Sequence, residues 1–433
     1  MKFVSTRGGT PATSLSTALR HGAAPDGGLF MPERLPQIDT ADLDARAGLP
    51  EFAAKLLRPF FADDPLEPEL QAICSEAFDF PAPIVTPNPA TPDLRALELF
   101  HGATGAFKDF GARFLMACFD RIAPPGKRLT VLAATSGDTG GAVGCAADGR
   151  SSVRAIILFP KGRISAFQER QLTCWGQQIL AIEVDGDFDE CQRLVKAAFA
   201  DETLVAEHKL TSANSINFGR LMPQLAYSAH AAMRVFGETG GKPGFVIPSG
   251  NLGHGFAVLL ARAIGLPVGP VVLATNANRT LKNWATTGAY EPRPSVATIA
   301  NAMDVGDPSN FERVAALPGQ ARDVRVELVS DEQIKARITS EYRNSGYVWC
   351  PHSATAVDAW RRLPEAERSG RPWIAAATAH PYKFADTVEP LIGRAVDPPP
   401  ALAAMLDRPT AKIRIAPNLD ALAGALRERA AAA

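Results

Sequence analysis

The sequence of 433 residues contains few cysteines and has no excess of charge of one sign. Each of these two features argues against a class of protein. Its six cysteines are scattered without a C-x-x-C pair, so we expect reduced thiols that pack as small apolar side chains. A formal net charge of -1 argues against nucleic acid or an anionic membrane as a partner. The seven histidines form no H-E-x-x-H pattern, so no metal site is expected.

Long apolar runs are also missing. The N-terminal segment MKFVSTRGGTPATS lacks the apolar stretch of a signal peptide, and the most apolar region, 256–264, is interrupted by Arg262. We therefore expect neither secretion nor a membrane span, and we predict a cytoplasmic protein.

From Leu129 onward, apolar runs rich in strand-forming residues alternate with helical patterns. This alternation is typical of an α/β protein with mainly parallel sheets. The predicted strands are LTVLAAT at 129–135, VRAIILF, ILAIEV, GFVIPSG, GPVVLAT and WIAAAT. Ligands of open α/β sheets bind at the carboxyl ends of the strands, so the loops after these runs should carry the chemistry.

The chain divides into three predicted parts. Residues 1–90 are predicted to form a loop-rich lead and a helical N-terminal subdomain, which ends in a proline-rich linker at 81–93. Residues 91–400 form the main α/β region, and residues 401–433 form a C-terminal tail with a short alanine-rich helix.

The segment FHGATGAFKDFGARF at 100–114 places Lys108 among Phe107, Phe110, Phe114 and several small residues. A lysine in an apolar pocket loses hydration of its charged form, which lowers its pKa and makes the neutral amine available as a nucleophile. Most lysines are simply solvated on a helix surface, and three further loops favour the functional interpretation.

Two glycine-containing turns follow predicted strands and precede helices. ATSGDTGGA at 134–142 suits an anion such as a carboxylate, although an ordinary turn capped by Asp138 or Thr139 would look alike. PSGNLGHG at 248–255 lacks the Lys-Ser or Lys-Thr pair of a nucleotide-binding loop, which favours a phosphate held by backbone amides. Asn251 could instead only shape this turn.

The segment SANSINFGR at 212–220 combines amides, hydroxyls and Arg220. A guanidinium group beside neutral donors matches the oxygens of a phosphate or carboxylate. Helix capping with a solvated arginine is the alternative interpretation of this segment.

Together, F-K-D-F, S-G-D-T-G, N-S-I-N-x-x-R and D-V-G-x-P-S-N-F-E-R resemble the bacterial and fungal threonine synthases, which are pyridoxal-phosphate (PLP) enzymes of fold type II, similar to the tryptophan synthase β chain. The segments STRG, APDGGLFMPE, CPHSATAV and TAHPYKF extend the resemblance over nearly the whole chain. The resemblance implies two α/β lobes with the cofactor between them.

The resemblance also implies roles for individual residues. Lys108 would condense with the aldehyde of PLP and later move protons on the substrate. Asp138 would contact the 3'-oxygen of PLP, Thr378 would lie beside the pyridine nitrogen, and the PLP phosphate would be bound by Gly250, Asn251, Leu252, Gly253 and His254. The substrate would be bound through its carboxylate or phosphate by Thr135, Ser136, Thr139, Asn214, Ser215 and Arg220.

Three positions depart from the family pattern: Ala103, where proline is usual, Leu252, where phenylalanine is common, and His254, where asparagine or aspartate is common. These departures concern loop shape and affinity for PLP, and none removes a reacting group. Cys350, close to the expected site but without a paired base, is interpreted as a packing residue.

The implied reaction converts O-phosphohomoserine and water into threonine and phosphate, by a monomer or a homodimer. Two alternatives remain at this point. One is a related PLP lyase or a serine or threonine dehydratase, which Arg220 and its neighbours argue against, because an unphosphorylated substrate needs no such anion site. The other is a PLP-binding protein without catalysis, which the retention of Lys108, Asp138 and Thr378 argues against.

Overall fold

The computed structural model describes residues 1–319 and 322–431. Its strands are β1 (Phe3–Ser5), β2 (Phe30–Pro32), β3 (Ile84–Val85), β4 (Leu94–Glu98), β5 (Leu129–Ala134), β6 (Val153–Pro160), β7 (Ile179–Val184), β8 (Leu210–Thr211), β9 (Gly244–Pro248), β10 (Val271–Thr275), β11 (Arg325–Leu328), β12 (Trp373–Ala377) and β13 (Ile413–Ile415).

Its helices are α1 (Leu15–His21), α2 (Leu49–Phe61), α3 (Leu70–Ala77), α4 (Lys108–Ile122), α5 (Asp138–Ala147), α6 (Ala166–Thr173), α7 (Phe188–Ala200), α8 (Glu202–His208), α9 (Met222–Thr239), α10 (Gly253–Ala263), α11 (Thr280–Thr287), α12 (Phe311–Ala316), α13 (Asp331–Ser345), α14 (Pro351–Arg361), α15 (Glu365–Arg368), α16 (Ala385–Ile392), α17 (Pro400–Leu406) and α18 (Leu419–Ala431). Within the described ranges, no helix has the length and apolar character needed to cross a bilayer.

One lobe is built on a five-stranded parallel sheet in the order β13-β7-β6-β5-β8. Strand β5 is buried along its whole length because both of its faces are covered. Val131 belongs to the core that includes α4 and α5, whereas Leu132 belongs to the core that includes α7 and α18. The strands predicted at 129–135, VRAIILF and ILAIEV are confirmed.

The other lobe is built on a six-stranded sheet in the order β11-β10-β9-β12-β4-β3, parallel except for the edge pair β3 and β4. Ile247 of β9 packs into the core with α9 and α10, and Val246 packs on the opposite face with α14. The predicted strands GFVIPSG, GPVVLAT and WIAAAT lie here. The two-lobed α/β fold with mainly parallel sheets is therefore confirmed.

The N-terminal region contains the antiparallel pair β1 and β2 and the helices α1, α2 and α3. Helix α2 packs against α9, and α3 packs against α2 and α4, so this region joins the main core of the molecule. The proline-rich segment 81–93 contains β3, which extends the six-stranded sheet.

The segment 401–433, predicted as a tail, contributes a strand to the five-stranded sheet. Strand β13 pairs in parallel with β7, and helix α18 packs on α7 and α8. Leu402 and Met405 of α17 are buried against Cys174. The C-terminal segment thus covers an edge of the sheet, which protects its open backbone groups.

Candidate active site

Loops at the carboxyl ends of several strands converge on one pocket between the two sheets. It is called the central pocket here and is lined by Phe107, Lys108, Asp138, Ser215, Gln224, Pro248, Ser249, Gly250, Asn251, Leu252, Gly253, His254, Gly255, Ala302, Met303, His352 and Thr378. The pocket thus brings together nine of the predicted site residues: Lys108, Asp138, Ser215, Gly250, Asn251, Leu252, Gly253, His254 and Thr378.

Lys108 is the first residue of α4 and lines the central pocket. Its Nζ lies 4.5 Å from the centre of the Phe107 ring. Burial, and then the nearby charge of Arg220, lower the pKa of Lys108 to about 8, although Asp138 opposes the shift. A larger share of this amine is therefore neutral at physiological pH than in a solvated lysine, as a nucleophilic lysine requires.

The turn between β9 and α10 is shaped to bring backbone amides toward the pocket. Leu252 has a left-handed backbone with a φ of 61°, and α10 begins at the next residue. The amide of Phe256 bonds to the carbonyl of Leu252 at 2.8 Å, so the amides before Phe256 have no partner within the helix. These amides and the positive end of the helix dipole suit a phosphate.

Gly250 allows this turn to lie close against the 302–303 backbone. A Cβ at Gly250 would lie 2.7 Å from the Cα of Met303, which is too close for any side chain. The glycine is therefore required by a backbone contact at the pocket wall.

Asn251 connects this turn to two other segments. Its Nδ2 donates to Ser215 Oγ at 2.7 Å, and its Oδ1 accepts from the amide of Ser309 at 2.5 Å. The carbonyl of Asn251 accepts from Asn310 Nδ2 at 3.0 Å. The Asn251 side chain thus fixes the turn to its neighbours, which leaves the backbone as the part of the turn that faces a ligand.

Asp138 begins α5 and is held by two side chains. Lys383 Nζ lies 3.2 Å from Asp138 Oδ1, and Gln168 Nε2 donates to the same oxygen at 3.2 Å. Burial is the largest single effect and opposes ionisation of Asp138, but the charges of Lys383 and His352 and the hydrogen bonds from Gln168 and Lys383 together outweigh it, so the pKa of Asp138 is lowered. A carboxylate therefore faces the pocket that holds the Lys108 amine.

Thr378 directly follows β12 and lies beside a polar pair on α14. Its amide donates to Ser353 Oγ at 3.0 Å, and the two hydroxyl oxygens are 3.5 Å apart. Cys350 is buried, lies 3.1 Å from Ser353 Oγ and accepts from the Ser353 amide as the N-cap of α14. The structure gives Cys350 a capping contact in addition to packing.

Two buried histidines of the central pocket are neutral at physiological pH. Burial, together with the charge of Lys108, lowers the pKa of His254 to about 3. Burial also lowers the pKa of His352 to about 4, and its Nε2 accepts from the amide of Ala302 at 3.1 Å. The His254 ring stacks on Phe107 with centroids 5.4 Å apart, so it forms part of the apolar surroundings of Lys108.

Arg220 and Asn214 do not line the central pocket but lie close behind it. Arg220 is buried beside Gly111 of α4, and it donates through Nη1 to the carbonyl of Ala213 at 2.5 Å. Burial lowers the pKa of Arg220 to about 10. Within the described part of the chain, Arg220 Nε and Asn214 Oδ1 are buried without a hydrogen-bond partner.

Thr135, Ser136 and Thr139 also lie outside the lining of the central pocket. Thr135 Oγ1 accepts from the amides of Gly137 at 3.0 Å and Gly140 at 2.9 Å, so its hydroxyl shapes the turn before α5. Ser136 and Thr139 are partly exposed on the same turn.

Sequence reasoning gave no role to Lys383, Gln168, His352 or Gln224, all of which contact the central pocket or its residues. Lys383 and His352 lie in TAHPYKF and CPHSATAV, which carried the resemblance, but a motif does not reveal which partner a side chain meets. Gln168 lies in α6, where its capping box with Ser165 indicates only a helix start, and Gln224 lies in α9 without a local pattern that indicates a site. Only the three-dimensional fold brings them together.

The chemistry of the central pocket fits PLP. It offers an amine of lowered pKa for the aldehyde, free amides at a helix start for the phosphate, and the polar groups of Asp138 and Thr378 for the ring. Residues 82–375 match the family of pyridoxal-phosphate dependent enzymes. The chain is a PLP-dependent enzyme of fold type II.

Two further matches narrow this class, because residues 2–78 match the threonine synthase N terminus and residues 353–425 match the threonine synthase C-terminal family. The chain is 38% identical to the threonine synthase of Escherichia coli over 99% of both chains. The crystal structure of that enzyme superposes with a TM-score of 0.92, covering 99% of this chain and 100% of the other. A PLP-bound threonine synthase from Brucella melitensis gives a TM-score of 0.90 at 33% identity over 99% of each chain. The protein belongs to the threonine synthase family.

Proposed function

We propose that this enzyme converts O-phosphohomoserine and water into threonine and phosphate. The observation that carries the proposal is the meeting, in one pocket, of the Lys108 amine, the turn at Gly250–Gly253 and Ser215 of the N-S-I-N-x-x-R segment. The first two features suit a PLP enzyme in general. The third brings a donor for a second anion next to the reacting centre.

The residues around Ser215 form the proposed site for the substrate phosphate. Arg220 Nε is buried and without a partner in the described residues, and an anionic oxygen would satisfy it. Asn214 and Ser215 add neutral donors beside it. Bound phosphate must be stabilised more as it leaves than while it is attached, and a cation in a buried setting acts strongly on such a developing charge.

Lys108 is the proposed base and acid at the substrate carbons. With a pKa of about 8, its amine accepts a proton and returns it near neutral pH without a large energetic cost. PLP, when bound, supplies the conjugated system that spreads the negative charge left on carbon. When PLP is bound, the amides of residues 250–253 would hold its phosphate, Asp138 would face the 3'-oxygen, and the Thr378 hydroxyl would be the neutral partner of the ring nitrogen, which does not hold that nitrogen protonated.

The loop before α5 is the proposed site of the substrate carboxylate. Ser136 and Thr139 are partly exposed there, and the turn lies at the start of a ten-residue helix, whose amides favour an anion. Thr135 maintains the shape of this turn through its bonds to Gly137 and Gly140.

The test is to incubate the purified protein with PLP and O-phosphohomoserine and to measure threonine and inorganic phosphate. We expect both products in equal amounts and no turnover by Lys108→Ala. Release of phosphate with 2-oxobutyrate in place of threonine would instead identify a PLP lyase, and activity on serine or threonine but not on O-phosphohomoserine would identify a dehydratase.

A further inference from the structure

Lys383 is a second buried lysine close to the reacting centre. It lies in the 3₁₀ turn Pro381–Phe384 after β12, and its side chain is fully shielded from solvent. Its amine lies 3.2 Å from Asp138 Oδ1 and donates to the carbonyl of Thr104 at 2.7 Å and to Gln171 Oε1. It thus connects the loop before Lys108 to the first residue of α5.

Lys383 does not itself line the central pocket, whereas its partner Asp138 does. A buried ion pair contributes little to stability, because desolvation of both charges offsets their attraction. Lys383 also borders a neighbouring cavity with Gln168 and Asn301, and toward the central pocket its direct contact is with Asp138.

The chemistry of PLP identifies what Asp138 faces. The 3'-oxygen of PLP is on the ring carbon next to the one that carries the aldehyde, and the aldehyde is bound by Lys108. Asp138 and Lys108 line the same pocket and lie close enough to interact electrostatically. A polar group beside Lys108, such as Asp138, would thus lie within reach of the 3'-oxygen, and whether Asp138 is ionised decides whether it accepts or donates a proton there.

We propose that Lys383 is a positioning residue that keeps Asp138 ionised and directed at the 3'-oxygen of PLP, and so sets the proton arrangement at the cofactor. The ionisable groups that face Asp138 are Lys383, His352, Lys108 and the thiol of Cys350, whose pKa burial raises, with Gln168 as a neutral donor. His352 is neutral at physiological pH, so Lys383 is the cation in direct contact with Asp138.

Without the charge of Lys383, burial favours protonation of Asp138. We expect Lys383→Gln, which can still donate hydrogen bonds, to give a bound cofactor whose visible absorption at neutral pH matches that of Asp138→Asn. In Lys383→Gln the wild-type spectrum should return as the pH rises. The midpoint of this spectral change should lie about one pH unit or more above the midpoint in the wild-type protein, which is a tenfold change in the proton affinity of Asp138. Lys383→Arg keeps the charge and should retain the wild-type spectrum.

A double variant separates this role from simple structural support. In Lys383→Gln/Asp138→Asn both charges are removed, so no charge is left buried without a partner, and the protein should fold even where one single variant does not. We expect its cofactor spectrum and its pH dependence to equal those of Asp138→Asn alone. Lys412→Gln is the matched control, because Lys412 forms ion pairs with Glu169 and Glu183 at the surface, away from the central pocket.

The proposal is overturned if Lys383→Gln keeps the wild-type spectrum at every pH, if Asp138→Asn does so, or if the double variant differs from Asp138→Asn. The inference rests on the proposed cofactor site. The covalent linkage of PLP to the wild-type protein, and the loss of that linkage in Lys108→Ala, test that site independently of Lys383.

Discussion

Burial alters the chemistry of single charged residues in this protein, and Lys108 is the clearest case. The amine sits among aromatic and small side chains, where its charged form loses hydration, and its pKa falls from 10.5 to about 8. The apolar segment around Lys108 predicted the direction of this effect, although Arg220 and His254, which are distant in the chain, also surround the amine.

The lowered pKa of Lys108 gives a pH dependence of definite sign. Only the neutral amine attacks an aldehyde, so the rate at which the apo-protein binds PLP should rise with pH and level off above a midpoint of about 8. Because the unfolded chain retains this proton up to a pKa of 10.5, the same group makes the folded apo-protein more stable as the pH rises from about 8 to 10.5. Stopped-flow absorbance measures the rate, and a midpoint near 10.5 would contradict this assignment.

The proposed role of Arg220 depends on the shape of its guanidinium group as well as on its charge. In Arg220→Lys we expect a loss of about 1.5–3 kcal/mol of binding to the substrate phosphate. This corresponds to a roughly 10- to 150-fold lower kcat/KM for O-phosphohomoserine.

The cofactor spectrum of Arg220→Lys should stay close to that of the wild-type protein. Arg414→Lys is the control, since Arg414 pairs with Asp185 on the surface. An unchanged kcat/KM in Arg220→Lys would remove Arg220 from the substrate site.

Site residues were predictable where a motif carries both the residue and its partner. Lys108 with Phe107, and the turn at 250–253 before a helix, are of this kind. Lys383 and Asp138 are 245 positions apart in the chain, and only the packing of the two lobes brings them within 3.2 Å. No local pattern could reveal this pair.

At the scale of elements, the turn between β9 and α10 fixes the proposed phosphate site. In Gly250→Ala the added Cβ would meet the Cα of Met303 at 2.7 Å, and backbone atoms cannot move aside as a flexible side chain would. We expect a loss of about 1–3 kcal/mol in the free energy of unfolding and weaker binding of PLP.

Gly237→Ala is the matched control, because Gly237 lies inside α9 with open space around the position of a Cβ. This variant should be more stable by about 0.5–1 kcal/mol. Urea unfolding with and without PLP gives both the free energy of unfolding and the affinity for PLP. If Gly250→Ala equals the wild-type protein in stability and in PLP affinity, the proposed contact is contradicted.

The strands found from the sequence are the long apolar ones, such as β5, β6 and β7, which are buried on both faces. Strands β8 and β13 have only two and three residues, too few to show a period. Strand β4, LRALE, has charged residues at Arg95 and Glu98, and it follows prolines that suggested a linker. Short or charged strands take their structure from the sheet that they join, which the local sequence does not show.

At the scale of the whole molecule, Arg313 connects the N-terminal region to the catalytic lobes. This fully buried guanidinium donates to the carbonyls of Phe30, Ser215 and Ile216 and to Asn310 Oδ1. The N-terminal region therefore contacts the same segment that carries Ser215 of the proposed substrate site.

Removal of Arg313 would leave several buried carbonyls without donors, at a cost of about 1–3 kcal/mol each. We expect Arg313→Met to lower the free energy of unfolding by about 3 kcal/mol or more, as measured by urea denaturation. Arg322→Met, which removes an exposed bond to the carbonyl of Ala315, should change it by less than about 0.5 kcal/mol. Similar small changes in both variants would show that Arg313 does not hold the regions together.

The most direct test of this account is to find which lysine binds the cofactor. The purified protein is incubated with PLP, treated with borohydride to make the linkage permanent, digested and analysed by mass spectrometry. We predict the modification at Lys108, with Lys383 unmodified because its amine is held by Asp138, Thr104 and Gln171. Stoichiometric modification at Lys383 or at a surface lysine, with Lys108 free, would contradict the account.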